Sequence, residues 1–204
     1  MKQIALVIAM LAIIVTGYAQ EAKQEAIMSI DEAKVMLSNN QLLQAQEELN
    51  YAQSKISELL SEELVKFIPD APDGFTLNDR SAQSLGQAGA IIGSANSVAA
   101  SGTYSKEDVE LELSIVVGGL IGQSGGLAGL ANLFGGMAST NTKKVRINGY
   151  NATSEYDSDN QSGTLTIKVG GKITVIVEGE YLEDVNILKT LAEQVDLAGL
   201  EEAF

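Results

Sequence analysis

Apolar residues at Leu42, Ala45, Leu49, Ala52, Ile56 and Leu59 recur at alternating intervals of three and four. That spacing draws one stripe down an α-helix. Glu47, Glu48, Lys55, Glu58, Glu62 and Glu63 occupy the other faces. Leu60, Leu64 and Phe67 shift the stripe as the helix ends. Upstream, "SIDE" at Ser29–Glu32 has the form of a capping box, in which the serine oxygen accepts an orphan N–H and the glutamate reaches back. It predicts a first helix from there to about Leu37, within a helical stretch over 22–67. "SNN" at 38–40 reads as the turn between the two helices. Three heptads are few for an autonomous coiled coil. The stripe can be a coiled-coil seam for a partner or a second copy, or the inner face of a helical hairpin lying on its own domain, and the second is the expectation.

"PDAPDGF" at Pro69–Phe75 holds both prolines of the chain and marks the end of the helical arm. Residues 81–100 are rich in alanine, glycine and serine and read as a loop or short helix leading into a strand near Val98–Tyr104. From there the period becomes two. Val109, Leu111 and Leu113 point one way and Asp108, Glu110 and Glu112 the other, which predicts a strand with one dry and one wet face. "KKVRING" supplies a short strand and an "NG" turn, with the next strand over Tyr150–Tyr156. "DSDNQSG" at 157–163 reads as a hairpin loop, "TLTIKV" as a strand, "GG" at 170–171 as a tight turn and "KITVIVEGE" as a further strand of an antiparallel meander. Helix returns where Glu183 or Asp184 can cap a segment whose Val185, Leu188, Leu191, Ala192 and Val195 share a face, followed by a last short turn in "DLAGLEEAF". The expected class is α+β: an N-terminal helical arm followed by a twisted antiparallel sheet covered by helices.

The first nineteen residues change the picture of where this happens. Lys2 forms a positive n-region, Ile4–Val15 is an unbroken apolar run too short to span a bilayer comfortably, and Gly17 and Ala19 are the small residues of a cleavage site. A secretory signal peptide cut after Ala19 is expected, and no cysteine follows for lipid attachment. The organisation is then 1–19 signal peptide, 20–68 helical arm and 69–204 antiparallel α+β domain. The cysteine-free mature chain must hold itself together by burial. The formal charge is −14, and becomes −15 once Lys2 leaves with the leader. Such a chain is repelled by phosphate backbones and anionic lipid, so nucleic acid is not an expected partner.

The residue types that carry most catalysis are missing. There is no histidine for acid–base work at neutral pH and no cysteine nucleophile, and zinc and transition metals lose their favoured ligands. No S-x-x-K spacing occurs, and the G-x-S-x-G match "GQSGG" at 122–126 has no histidine anywhere in the chain to serve as its base. Carboxylates remain, with Glu110 and Glu112 on one strand face, and glycosidases need two; acids on a solvated strand face are nonetheless ordinary. "DSDNQSG" matches calcium-loop positions at Asp157, Asp159 and Gln161, but has Ser162 where glycine is needed and Lys168 where the bidentate glutamate belongs. A solvated hairpin turn is the expectation. No cofactor is expected, and no enzymatic activity.

Leu113–Thr142 is uncharged, and Gly118–Gly136 within it holds eight glycines. A phosphate loop would need a lysine at a fixed offset, but the first lysine beyond is Lys143. A membrane span has the length it needs and small-xxx-small spacing at Gly118, Gly122 and Gly126, but also Ser114, Gln123, Ser124 and Asn132. Each glycine weakens a helix by roughly 1 kcal/mol relative to alanine. The favoured reading ends a strand near Val117, follows it with a loose connection to Gly126, and places Leu127, Leu130, Ala131, Phe134 and Met137 on one face of a short helix covering the sheet. If the protein has a ligand or interaction surface in its domain, Gly118, Gly122, Gly125, Gly126, Leu127, Leu130 and Phe134 are its candidates.

With "LVKFIPDAPDGF", "KKVRINGYNA", "VIVEGE" and "EDVNILKTLAEQVDLAGLEEAF" in this order, residues 40–204 resemble a group of small exported bacterial proteins, and the C-terminal half resembles the PsbP-like α+β fold. The glycine density of 118–136 departs from that pattern. The resemblance implies a twisted antiparallel sheet flanked by helices and a binding or assembly role without catalysis; it brings no functional residues with it. The expectation is an exported binding or accessory protein of the bacterial envelope, periplasmic or extracellular. It would be monomeric and without a membrane span in the mature chain, its partner an envelope protein or a small apolar ligand. The alternative is a membrane-associated or apolar-ligand-carrying protein using 118–137.

Overall fold

A hairpin of two helices opens the chain: α1 over Lys2–Ser38 and α2 over Leu42–Leu64. The computed structural model describes residues 2–84, 97–118 and 142–204, with side chains from Gln20 onward. Two compact units emerge, Met1–Glu62 and Glu63–Phe204. In the first, the expected "SNN" turn is present. Asn40 takes a positive φ of 59°, which asparagine tolerates better than most residues, and the Gln41 N–H returns to Met36 O at 2.9 Å. The capping box is absent. Ser29–Glu32 lie inside α1, and Ser29 is buried at 6% exposure in a row with Ala22, Ala26 and Ala33. The motif reads as a helix start only where the helix has no upstream partner; here the small serine side chain serves the contact with α2. That contact also splits the expected stripe. Ala45 and Ala52 are buried opposite the α1 row, whereas Leu42, Leu49 and Ile56 remain exposed.

The second unit is a sheet which, among the described residues, has seven strands in the order β1-β2-β3-β7-β6-β5-β4, each neighbour antiparallel. The strands are β1 Thr76–Ser84, β2 Val98–Lys106, β3 Val109–Val117, β4 Lys143–Ile147, β5 Tyr150–Asp157, β6 Ser162–Val169 and β7 Ile173–Glu180. The chain leaves β3 in the middle of the sheet and re-enters at the far edge as β4; a four-stranded meander then returns it to pair with β3. Its turns follow the local chemistry. Asn148 and Gly149 both have positive φ, 48° and 89°, as a two-residue type I′ hairpin requires, and Gly170 (φ 57°) serves the β6–β7 turn. The α+β class is as expected, and so are β2 to β7. The strand that periodicity did not announce is β1. Its "TLNDRSAQS" has no alternation because it is a largely exposed edge strand, held by its backbone ladder to β2.

One face of the sheet carries α3 (Asn186–Glu193) and α4 (Leu197–Ala203). Asp184 accepts from the Asn186 N–H at the start of α3, and Asp196 caps α4 by accepting from the Gly199 N–H at 2.9 Å. Leu188, Leu191, Ala192, Val195, Leu197 and Leu200 are buried, together with Leu113, Ile115, Leu165, Ile167, Val175 and Val177 from the central strands. The seat for α3 is cut by two glycines. Gly163 and Gly179 face one another across β6 and β7. A Cβ on Gly179 would stand 2.8 Å from Leu111 Cδ2, 2.9 Å from Leu182 Cδ2 and 3.0 Å from Leu188 Cδ2; on Gly163 it would meet Leu188 and Leu182 at 3.2 and 3.3 Å. The two leucines fill the space left by the missing side chains.

The proline-rich boundary is fastened to the sheet. Ile68 is buried over Gly102, where a Cβ would lie 2.5 Å from Ile68 Cγ2. Tyr104 donates its hydroxyl to Pro69 O at 2.9 Å, and Arg80 donates to the same carbonyl at 3.1 Å and to Asp70 Oδ1 at 2.9 Å. Burial pushes the Tyr104 hydroxyl up to about 12, partly offset by the Arg80 charge, so it remains a donor at any ordinary pH. Tyr156 does the same work at the other end of the sheet, donating to Leu182 O at 3.0 Å.

Two substitutions test this packing. Gly179→Ala forces three leucine side chains apart, and denaturant unfolding should show a loss of about 1–3 kcal/mol, the usual range for overpacking. Tyr104→Phe removes one of two donors to Pro69 O and should cost about 1 kcal/mol without altering the circular dichroism spectrum.

Candidate functional site

Of the seven candidate surface residues, Gly118 alone lies within the described residues. Its φ is 85°, and its N–H donates to Lys172 O at 3.0 Å, closing the end of β3 against the turn into β7. Gly122, Gly125, Gly126, Leu127, Leu130 and Phe134 lie outside them, with the short helix expected over 127–137 and residues 85–96 of the loop or short helix expected over 81–100; the first residues of that stretch, Ser81–Ser84, belong to β1 instead.

The carboxylates form a ladder on the face of the sheet away from α3. The β3–β7 register sets Glu110 opposite Glu180 and Glu112 opposite Glu178. Glu178 is half-buried, and its carboxyl is raised above the ordinary 4.5, first by burial and then by the Glu112 charge; a hydrogen bond from Thr164 pulls the other way. The wet face foreseen for β3 is confined to this end. Further along, Ser114 and Val116 of β3, Thr174 and Ile176 of β7 and Thr166 of β6 are buried on the same side. The continuous apolar run "IVV" at 115–117 is the mark of a strand covered on both faces.

Asp157, the third acid considered, belongs to a different arrangement. Its Oδ1 accepts from the N–H groups of Asp159 and Asn160 at 2.9 and 3.2 Å, and its Oδ2 from Asn160 Nδ2 at 2.7 Å. These bonds, the Asn160 side chain foremost, hold the carboxyl below its ordinary value. The carboxylate shapes the β5–β6 hairpin. Lys168 lies in β6, where the calcium-loop pattern would have needed its bidentate ligand. Among the described residues, no group of three or more acids is placed to hold a metal ion.

The helical arm is the surface that sequence reasoning underrated. Ile27, Met28, Val35, Leu37, Leu42, Leu43, Leu49, Tyr51 and Ile56 all stand exposed, from 43% for Ile56 to 74% for Leu43. Polar contacts occupy one flank. Lys55 Nζ lies 2.8 Å from Glu25 and 3.3 Å from Glu58, and the Tyr51 hydroxyl donates to Glu25 at 3.1 Å. Hydrogen bonds from Lys55 and Tyr51 lower the Glu25 carboxyl, and the same bond to Glu25 raises the Tyr51 hydroxyl. The signal was present in the sequence: the stripe alternates alanine with leucine or isoleucine. A hairpin seam takes the small members and leaves the large ones over.

No family model matches the chain, and neither the curated proteins nor the solved structures contain a match to it.

The ladder gives a testable pH dependence. Glu178 has a folded-state value above its unfolded one, so the folded protein binds this proton more tightly. The associated stability is present at low pH and is lost as pH rises through the raised value. Glu178→Gln removes the like-charge pair and should be more stable than the wild type at pH 7 by about 0.5 kcal/mol, the scale of one cross-strand pair. The difference should close as pH falls below 4.5, the ordinary carboxyl value. Parallel urea titrations at the two pH values measure it.

Proposed function

We propose that this protein is an exported, non-catalytic binding or accessory protein of the bacterial envelope whose helical arm is its docking element. The observation that carries the reading is the arm's outer surface. Its own seam consumes alanine and serine, and nine large apolar side chains are left facing water. Contiguous exposed apolar surface on a soluble protein marks a place where something binds. The apolar Ile4–Val15 run, with Gly17 and Ala19 behind it, supports export. The lack of histidine and cysteine in the whole sequence supports a role without catalysis, and so does the use of Asp157 in a turn. Among the described residues no helix is long and apolar enough to cross a membrane. A PsbP-like relationship remains part of this proposal; an antiparallel sheet flanked by helices is in keeping with it.

Helix α1 runs without a break through the Ala19–Gln20 junction, so cleavage would leave a helix beginning at the new terminus. Expressed in full with a C-terminal tag, the protein should be recovered from the periplasmic or extracellular fraction with Gln20 as its first residue, by intact mass. It should stay out of the membrane pellet after a high-salt wash. Cytosolic protein at full mass would overturn export, and salt-resistant pelleting would favour the membrane-associated alternative.

A further inference from the structure

Four of the arm's exposed apolar residues, Leu37, Leu42, Leu49 and Ile56, share one flank of the hairpin. A residue three after a seam position lies about 60° round the helix to one side of it, and a residue four after lies about 40° to the other. Glu25, Glu32, Glu48 and Lys55 follow Ala22, Ser29, Ala45 and Ala52 by three. The Glu25–Lys55 ion pair shows that these flanks of α1 and α2 meet on one side of the hairpin. Ile30, Leu37, Leu49 and Ile56 follow Ala26, Ala33, Ala45 and Ala52 by four, and so meet on the opposite side, where Leu42 joins them. Leu42, Leu49 and Ile56 are exposed by 60%, 47% and 43%, and Leu37 by 51%. Their spacing is seven residues on each helix, 42, 49, 56 and 30, 37.

We propose that this flank is the dimer interface of the protein, and that its occupant is the same flank of a second copy, the two hairpins forming a four-helix bundle about a two-fold axis. The inference rests on reading the arm as a docking element and names its partner. Three observations select a second copy. Heptad spacing keeps a stripe aligned with another helix along its length; a lipid surface makes no such demand. The stripe is also narrow, bounded on α2 by Gln46, Gln53 and Asn50, amides that suit a protein rim better than hydrocarbon. Finally, residues 20–62 carry eight acids and three lysines, net −5, and acids line the Glu25 flank. Two copies of so acidic an arm can close together only through a surface without charge, and the leucine flank is one. Its charged rim is Lys23 and Lys34, the latter already neutralised by Asp31 at 2.7 Å. The face is modest. A face of so few residues makes a reversible, concentration-dependent dimer. The proposal departs from the monomer expected from the sequence.

The test uses the mature chain from Gln20 to Phe204. Sedimentation at rising concentration should show the mass doubling. Leu49→Glu with Ile56→Glu should remain monomeric at the highest concentration, with unchanged circular dichroism and, at any concentration, an unfolding midpoint close to that of the dilute, monomeric wild type, because the two side chains are 47% and 43% exposed in the single copy. Glu48→Gln, on the opposite flank, should dimerise as the wild type does. The absence of native cysteine allows a second readout: Leu42→Cys, Leu49→Cys and Ile56→Cys, each alone, are expected to include one that forms a disulfide-linked pair under mild oxidation, while Val35→Cys, exposed but off the stripe, forms none. A wild type monomeric throughout, or a dimer untouched by the two glutamates, overturns the proposal and leaves the export reading standing. Co-sedimentation of the wild type, but not the double variant, with neutral phosphatidylcholine vesicles, in the absence of a dimer, would reassign the flank to lipid. A dimer formed by a protein that is never exported would retain this inference and remove the envelope role.

Discussion

The pairing of β3 with β7 holds the sheet together. It joins β1-β2-β3 to β4-β5-β6-β7, and the partners lie about as far apart in the chain as Glu110 is from Glu180. Apolar pairs set its register: Leu113 against Val177, Ile115 against Val175, Val117 against Ile173, all facing α3 and α4. A slip of one residue would turn every one of them to the other face. The same register brings Glu110 opposite Glu180 and Glu112 opposite Glu178. The like-charge ladder is thus a consequence of core registration, tolerated because its end of the sheet is open to water and costs little beside the burial of the apolar pairs.

The C-terminal helices depend on that pairing in turn. Gly179 lies opposite Leu111 on β3 and Gly163 on β6, so the hollow that receives Leu182 and Leu188 exists only when the β6–β7 hairpin is joined by the distant strand β3. The polar fastenings then secure the ends: Tyr156 to the loop after β7, Asn148 to the last carbonyl of α3 at 3.0 Å, and Tyr150 to Glu201 of α4 at 2.7 Å. Each tyrosine spends its hydroxyl on positioning backbone or helix. This accounts for the aromatic residues Tyr150 and Tyr156 on the strands.

The arm follows a different economy. Its helices approach through alanine and serine, an arrangement that brings the axes close but buries little apolar area. The larger residues of the same stripe remain outside. A helical hairpin that hides its small residues and shows its leucines has its strongest hydrophobic drive still unspent, and the proposed dimer gives that drive a destination.

Strand positions β2 to β7, the turns at 38–40, 148–149 and 170–171, and the helix at Asn186–Glu193 follow from local rules, because alternation, asparagine–glycine turns and a single apolar helix face are set by neighbours in the chain. The edge strand β1 did not follow, since an exposed edge needs only backbone partners and leaves no hydrophobic signature. The capping box at Ser29 misled because the helix continues upstream and Ser29 is a buried position inside it, which local sequence does not reveal. The outer surface of the arm, too, was decided by packing: Ala45 and Leu49 are equivalent members of one stripe until a second helix chooses between them by size. Tertiary contact alone settled which side chains were buried and which were left for a partner.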